Sequence, residues 1–145
     1  VKIQNPPPKE KEEKKGAKEK APSTSKKEKT SCATIRRKDG SWDQNKILQE
    51  ACNISEGDLD FVKTLLAENG RVDPFLVSKP NSDGTTDHGL CQFNSYWHGD
   101  FIKSKSFQYW DLQLKRCWDI YSNNPNRFAA YKVREKGGEL LVFLN

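Results

Sequence analysis

The sequence predicts an α+β domain in which helices dominate, preceded by a charged linker. Apolar residues recur at helical spacing before residue 70 and again after residue 107. The stretch between these regions loses that period and is rich in residues that favour turns and short strands. All 15 aromatic residues lie between Trp42 and Phe143, so residues 35–145 hold the material for one hydrophobic core.

Residues 1–34 form the predicted linker. Residues 1–30 contain ten lysines, five glutamates and no aromatic residue, and so little apolar surface cannot offset the entropy that ordering would cost. We therefore expect disorder there. This segment carries the whole net charge of +5, because residues 31–145 hold 15 basic and 15 acidic residues. A neutral domain argues against nucleic-acid binding, and the chain has no apolar run of membrane-spanning length, although an anchor upstream of Val1 is left open.

Two helices are predicted before residue 70. The first begins with Asp43 as its N-cap and ends near Asn53. The second opens with a capping box of Ser55 and Asp58, and Gly70 stands where a left-handed residue would end it. Each helix has an apolar face for the core, with the following members: Ile47, Leu48 and Ala51 in the first, and Leu59, Val62, Leu65 and Leu66 in the second.

A small β-wing or hairpin is predicted over residues 71–97, with its turn around residues 82–84. Helical period then returns over about residues 107–121. Asn124-Pro125 has the form of an N-cap and first residue of a short last helix that runs to about Tyr131. The core side of the third helix has these members: Trp110, Leu114, Cys117, Trp118 and Tyr121.

Glu68 is the first candidate for chemistry. It falls in the last turn of the second helix, where the negative end of the helix dipole disfavours an ionised carboxylate, and it follows an apolar stripe that favours burial. Both effects raise the pKa of a carboxyl group, and an acid still protonated near neutral pH can act as a general acid. An ordinary exposed helix glutamate is the alternative interpretation.

Asp87 is the second candidate, nineteen residues further on within the polar wing. A carboxylate in a wet, polar strand should stay ionised and could stabilise developing positive charge. Two carboxylates whose environments push them in opposite directions are typical of glycoside hydrolysis. The alternative is a turn aspartate that caps backbone amides, a role that Asp83 fits better.

The run that carries Asp87 has the sequence DGTTDHGLCQFNSYW and extends from Asp83 to Trp97. It closely resembles the active-site β-wing of animal (c-type) lysozymes, DGSTDYGILQINSRW. In that family the acid is a glutamate at the end of an upstream helix, where this chain has Ala67-Glu68-Asn69. The resemblance implies that Glu68 is the general acid and Asp87 the nucleophile or charge stabiliser. It also implies that the sugar groove is lined by Gln92, Asn94 and Trp97.

A second resemblance is to the soluble lytic transglycosylases, which work with a single catalytic glutamate. It rests on Glu68, Gly89-Leu90-Cys91-Gln92 and Phe128-Ala129-Ala130-Tyr131, which are similar to the family's Glu-Ser, Gly-Leu-Met-Gln and Ala-Ala-Tyr-Asn-Ala-Gly. It implies that Tyr131 contacts the substrate near the acid. Both families share the lysozyme-like fold, so residues 35–145 are expected to form a mainly helical, lysozyme-like catalytic domain with a small antiparallel β-wing.

The sequence also departs from both families. Lys63 stands where animal lysozymes have a cysteine just before the acid, and Cys91 fills an apolar position, so the animal disulfide framework is absent. Asn69 replaces the serine that follows the transglycosylase glutamate. Lys132-Val133-Arg134 replaces Asn-Ala-Gly after the tyrosine. These departures indicate a bacterial or viral protein between the two families.

The four cysteines allow two disulfides, one or none. Cys52 and Cys117 lie on the predicted apolar faces of two helices and would pair if the protein is exported, or else be buried thiols. Cys91 is expected to be a small core residue. No metal site is predicted, because strand alternation would place His88 and Cys91 on opposite faces.

The resemblances imply a peptidoglycan-cleaving glycosidase of the lysozyme type, acting on the β-1,4 bond between N-acetylmuramic acid and N-acetylglucosamine. Its partner would be the glycan strand, and we expect a monomer that needs no cofactor. Two alternatives stay open: a lytic transglycosylase that forms 1,6-anhydro-muramyl products, and a non-catalytic wall-binding or assembly module. The substrate places the protein outside the cytoplasm, by export or by delivery from a phage or secretion machine.

Overall fold

The computed structural model describes residues 32–131 and 140–142. The predictions for the linker up to residue 31 and for residues 132–134 therefore lie outside the described residues. The described part is α+β, with four α-helices and two pairs of antiparallel strands. None of the helices in these two ranges combines the length and the hydropathy that crossing a membrane requires.

A pair of strands joins the two ends of the described chain. Strand β1, Ile35–Arg37, is antiparallel to a strand at Leu140–Val142, with Ile35 opposite Val142. Ile35 is fully buried in the core. The three residues before β1, Cys32–Thr34, were predicted to belong to the linker, but they form a 3-10 helix. The sequence analysis did not predict this strand pair.

The first two helices lie where the apolar spacing predicts them, but their caps differ. Helix α1 spans Trp42–Ile54 and helix α2 spans Leu59–Glu68. The N-cap of α1 is Ser41 rather than Asp43, and Ser41 forms a reciprocal capping box with Gln44. A capping box needs a side chain that reaches back to the cap amide, which the glutamine amide does.

The predicted capping box at the start of α2 is also wrong. Asp58 itself is the N-cap, and its carboxylate accepts a hydrogen bond from the Phe61 amide at 3.0 Å. Ser55 instead ends α1, where its hydroxyl donates to the Ala51 carbonyl at 2.8 Å. Gly70 is not the left-handed residue after α2. The helix ends at Asn69 and the positive φ of 50° falls on Val72.

The core lies between α1, α2 and a long later helix at Trp110–Asn123. The predicted apolar residues of the first two helices are buried, apart from the partly exposed Leu59. Phe61 packs edge-on against Trp118 at 5.0 Å between ring centroids and lies 5.1 Å from Tyr121. Leu114 is fully buried, and Trp118 packs at the edge of this cluster.

The wing and the elements after it complete the fold. Strands β2, Asp87–His88, and β3, Phe93–Asn94, form an antiparallel pair, and Val77 makes a bridge to His88 from the other side. The predicted turn is confirmed, because the Gly84 amide donates to the Asn81 carbonyl at 2.8 Å. Three further elements follow in order: helix α3 at Gly99–Ile102, a 3-10 helix at Lys105–Gln108 and helix α4 at Trp110–Asn123.

The start of the third predicted helix is therefore wrong by three residues, because a 3-10 turn precedes it. The N-cap prediction at Asn124-Pro125 is confirmed: the Asn124 side chain accepts from the Asn126 amide at 3.1 Å. The helix there is a single 3-10 turn, Pro125–Arg127, that ends at Phe128. A second short 3-10 turn covers residues 129–131.

The cysteines pair differently from the prediction. Cys52 is bonded to Cys32, and Cys117 is bonded to Cys91. Both helical cysteines are fully buried as expected, but each faces a partner from an irregular segment rather than from the other helix. The first bond fastens the start of the domain to α1, and the second fastens the wing to α4.

The last strand, at Leu140–Val142, is β4. The wing, the end of α2 and one face of α4 together line a cleft.

Candidate active site

The cleft has a volume of about 830 Å³ and is open to solvent. It brings together five of the six predicted site residues, which come from the end of α2 and from the wing: Glu68, Asp87, Gln92, Asn94 and Trp97. The opposite side is built from α4 and from the segment that follows it, down to Ala129. Chain segments far apart in sequence therefore converge on one groove.

Glu68 is the last residue of α2 and is largely buried where it lines the cleft. Burial raises the pKa of Glu68 from 4.5 to about 7. The Ala130 amide, which donates to Glu68 Oε2 at 3.3 Å, lowers that pKa by a smaller amount, and the nearby Asp87 carboxylate raises it. Glu68 can therefore be protonated near neutral pH. The pKa of Glu68 is raised, as its position in the sequence predicted.

Asp87 is held by amides rather than by apolar groups. Its Oδ1 accepts a hydrogen bond from Asn94 Nδ2 at 3.2 Å, and its Oδ2 accepts one from Asn81 Nδ2 at 3.3 Å. Its backbone is fixed to Ser78, whose hydroxyl accepts from the Asp87 amide and whose amide donates to the Asp87 carbonyl, each at 2.9 Å. Both carboxylate oxygens are thus oriented by neutral donors.

The turn aspartate, Asp83, has the separate role that the sequence suggested. Its carboxylate accepts from the hydroxyl of Thr85 at 2.7 Å and from the amide of Thr85 at 3.0 Å. These bonds lower the pKa of Asp83, with the hydroxyl contributing most. Because Asp83 caps the turn, Asp87 is not needed for that role, and it lines the cleft.

Two buried amide side chains fasten the wing next to Glu68. Asn69 Nδ2 donates to the Gly89 carbonyl at 3.0 Å and to the Asp73 carbonyl at 2.8 Å. Gln113 on α4 accepts from the Leu90 amide at 2.8 Å. A Cβ on Gly89 would lie 2.6 Å from Gln113 Oε1, so this close approach, at φ +83°, requires glycine.

Gln92 and Asn94 use much of their hydrogen-bonding capacity within the wing. Gln92 adopts a left-handed conformation, φ 53°, and its amide donates to the carbonyls of Gly89 at 3.0 Å and Leu76 at 3.2 Å. Asn94 donates to Thr85 Oγ1 at 3.0 Å as well as to Asp87. Both side chains line the cleft while they shape its edge.

The aromatic pair at the end of the wing is exposed. Trp97 lines the cleft with 49% of its surface exposed, and its ring meets that of Tyr96 edge-on at 4.9 Å. An indole held this way presents apolar surface to a ligand in the groove. Edge packing against Tyr96 therefore leaves part of the indole surface open to the cleft.

Tyr131 is the predicted site residue that does not line the cleft. Its partly buried ring packs edge-on against Tyr121, with 5.8 Å between centroids. The neighbouring Ala130 instead supplies the contact to Glu68 through its backbone amide. A sequence motif cannot show whether its tyrosine ring or its backbone faces the acid.

Several residues that line the cleft were not predicted from the sequence. Among the polar ones are His98 and the basic side chains Lys115, Arg116 and Arg127. The residues of α4 that line the cleft recur at helical spacing opposite its core face, so they read from sequence as an ordinary solvated face. Nothing in the pattern distinguishes a helix face that meets solvent from one that meets a groove.

The described residues do not bring three histidine, cysteine or acidic side chains together as a metal site would need. Cys91 is in a disulfide, and His88 Nε2 lies 2.8 Å from Thr86 Oγ1. The cleft thus brings the two candidate carboxyl groups, Glu68 and Asp87, together with a third acid, Asp119, and with basic and aromatic side chains.

Comparison with other proteins adds no family assignment. The chain matches no model of a known protein family, no curated protein and no solved structure. The lysozyme-like and transglycosylase-like features of the sequence therefore stay predictions, and the function must be argued from the site itself.

Proposed function

We propose that this protein cleaves the glycan strands of peptidoglycan, at the β-1,4 bond between N-acetylmuramic acid and N-acetylglucosamine. The observation that carries the proposal is the pairing of Glu68, whose pKa is raised to about 7, with the amide-held Asp87 in one open cleft. Two carboxyl groups in opposite environments that share a groove are the arrangement that glycoside hydrolysis requires. The sugar specificity comes from the resemblance of the wing to lysozymes.

In the proposed reaction the protonated carboxyl of Glu68 gives its proton to the glycosidic oxygen as the bond from C1 to that oxygen breaks. The sugar left behind becomes oxocarbenium-like, and the carboxylate of Asp87 stabilises it or bonds to C1. A water molecule then adds its hydroxyl to C1, which breaks the bond to Asp87 where one has formed and frees its carboxylate, and returns its proton to Glu68. The enzyme ends in its starting state, and one water is consumed for each bond cleaved.

A lytic transglycosylase is the second candidate, and one contact favours it. The Ala130 amide, which lies within the Ala-Ala-Tyr motif shared with that family, donates directly to Glu68. In this version the 6-hydroxyl of the muramyl sugar attacks C1 and gives its proton to Glu68, so no water is consumed and a 1,6-anhydro ring forms. The presence of Asp87 in the cleft favours hydrolysis.

The test of the proposed activity is Glu68→Gln, which keeps the shape of the side chain but removes the proton donor. We expect this variant to lose clearing of purified peptidoglycan while its circular dichroism spectrum and melting curve remain those of a folded protein. Glu56→Gln, a matched change at an exposed position, should clear normally. Full activity in Glu68→Gln would exclude Glu68 as the acid and with it the proposed mechanism.

Mass spectrometry of the digested peptidoglycan separates the two candidates. Reducing muramyl ends are expected from hydrolysis, and anhydro-muramyl ends, lighter by one water, are expected from the transglycosylase. Anhydro ends as the main product would refute the hydrolase and leave Glu68 as the acid. A domain that binds the wall but releases no fragments would instead support the non-catalytic alternative.

A further inference from the structure

One side of the cleft is cationic. Three basic residues line it, Lys115 and Arg116 on α4 and Arg127 just beyond that helix, and we refer to these three as the cationic wall. Among the described residues that line the same side, Asp119 is the only acid. The two carboxyl groups of the candidate active site belong to α2 and the wing, whereas Asp119 lies on α4, close enough to Arg116 for its charge to act on that guanidinium.

The positions of these residues on α4 explain why they face the groove. The residues of this helix that line the cleft share one face, with these members: Leu112, Lys115, Arg116, Asp119, Ile120 and Asn123. The buried residues Gln113, Leu114 and Cys117 face the core. The disulfide from Cys117 to the wing holds α4 against the other side of the cleft, so the orientation of the wall is fixed by the core.

The charges of the two arginines of the wall both act on His98, which lines the same cleft. Burial, together with the positive charges of Arg116 and Arg127, lowers the pKa of His98 to about 4. Both arginines therefore lie near the same neutral imidazole. Arg116 is also held in place, because its guanidinium carbon lies 4.5 Å from the centre of the Phe101 ring.

The imidazole of His98 has a buried ring nitrogen. Its Nδ1 is buried and has no hydrogen-bond partner among the described residues, and the ring packs against Phe93 at 5.3 Å. A buried polar atom without a partner is costly, and the residue that carries it lines the cleft. Two guanidinium groups beside an imidazole can together bind a planar carboxylate.

The cationic wall also lies close to the candidate acid along the chain. Arg127 precedes Ala130 by three residues, and the Ala130 amide contacts Glu68. Three residues of extended chain span at most about 11 Å, which limits the distance between the Cα atoms of Arg127 and Ala130. A ligand group bound at the wall would thus belong to the part of the substrate around the bond to be cleaved.

We propose that the cationic wall binds the carboxylates of the peptides that peptidoglycan strands carry, so that the cleft selects strands bearing anionic peptides. This inference rests on the proposed function. The sugar backbone offers hydroxyl and amide groups, which neutral side chains can bind, whereas three cations beside one acid are complementary to an anionic substituent. Arginine favours a carboxylate over a hydroxyl because two of its five N–H groups can bind both carboxylate oxygens at once.

The test measures binding in a Glu68→Gln background, so that the strands are not consumed. Isothermal titration would compare two probes: peptidoglycan strands freed of phosphate polymers, and the same strands after their carboxylates have been converted to amides. Each probe is titrated into the background protein, into a variant that also carries Lys115→Gln and Arg127→Gln, and into a matched control with Lys38→Gln and Arg71→Gln. The control removes one lysine and one arginine from exposed positions that do not line the cleft.

We expect the background protein and the control to bind the anionic strands about 10-fold more tightly than the amidated strands. The cationic-wall variant should lose that preference and bind both probes like the amidated strand. Equal binding of the two probes by the background protein would overturn the inference and leave the proposed function intact. If the control loses the preference as fully as the wall variant, net charge rather than this site is responsible, and the inference is wrong. If the background protein binds neither probe, the proposed function itself fails.

Discussion

Burial of Glu68 should make the stability of this protein depend on pH in a direction that its own substitution can reveal. A carboxyl group with a pKa of about 7 in the folded protein and 4.5 in the unfolded chain holds its proton more tightly when folded. The stability from this group is therefore full below about pH 4.5 and is lost as pH rises through about 7. A shift from 4.5 to about 7 corresponds to about 3 kcal/mol of unfolding free energy.

Glu68→Gln removes this dependence because glutamine does not ionise, while its side-chain oxygen can still accept the Ala130 hydrogen bond. The difference in unfolding free energy between the variant and the parent protein should therefore increase in favour of the variant by about 3 kcal/mol as pH rises from about 4 to about 9. Urea denaturation followed by circular dichroism at several pH values measures this difference. The assay needs no substrate, so it tests the environment of Glu68 independently of the proposed function.

Glu56→Gln serves as the control for this experiment, since Glu56 is exposed and its charge lies in water. The difference between that variant and the parent should remain small and nearly constant with pH. A difference in unfolding free energy between Glu68→Gln and the parent that is equally independent of pH would refute the argument. The folded protein would then bind the proton of Glu68 no more tightly than the unfolded chain does.

Four further outcomes follow from the site and its supports. If protonated Glu68 is the acid, cleavage of peptidoglycan should fall as pH rises above about 7, and a rate that stays level to about pH 9 would contradict the raised pKa. Asn94→Ala removes the donor 3.2 Å from Asp87 and should lower turnover by up to about 100-fold, with only about 1 kcal/mol lost in a melting experiment; unchanged turnover would show that the orientation of Asp87 is unimportant. Gly89→Ala places a Cβ 2.6 Å from Gln113 Oε1 at φ +83°, so denaturation should show a loss of about 2 kcal/mol or more, and a neutral result would mean that the wing can shift. Reducing the two disulfides, which join residues 20 and 26 positions apart, should cost about 3 kcal/mol each, measured by melting with and without reductant; an unchanged melting temperature would show that neither bond constrains the unfolded chain.

Much of the fold followed from apolar spacing, because a helix that packs on a core must repeat its buried residues at three and four positions. The faces of α1 and α2 were predicted for this reason and are buried. Helix ends were less predictable. Ser41 and Ser55 are both serines followed by a polar residue three positions later, yet one begins a helix and the other ends it. Only the fold decides which amides each hydroxyl meets.

The cysteine pairs show a different limit. Position on an apolar face correctly predicted that Cys52 and Cys117 are buried. It could not identify their partners, since a disulfide depends on which irregular segments cross the helix. Those segments, at Cys32 and Cys91, have no periodicity to read. The pairing of β1 with β4 escaped prediction for the same reason, because each strand is three residues long.

The residues of the candidate site could also be predicted only where they had a local sequence signal. Glu68 and Asp87 were identified as candidates by their local contexts, a helix end after an apolar stripe and a polar wing, and by the resemblance of the wing to lysozymes. Their common placement in one cleft depends instead on contacts between distant segments. The cationic wall had no local signal, since a basic helix face has the same pattern whether it meets solvent or a groove.

One feature of the fold links the two carboxyl groups. Asn69 directly follows the buried Glu68 and bonds the carbonyl of Gly89, two residues beyond Asp87 in the wing. The end of α2 thus supplies both the acid and one of the contacts that position its partner. The Gln113 bond to the Leu90 amide supports the same stretch from α4. Because both supports are neutral and buried, they can fix the wing beside Glu68 without adding a charge that would alter its pKa.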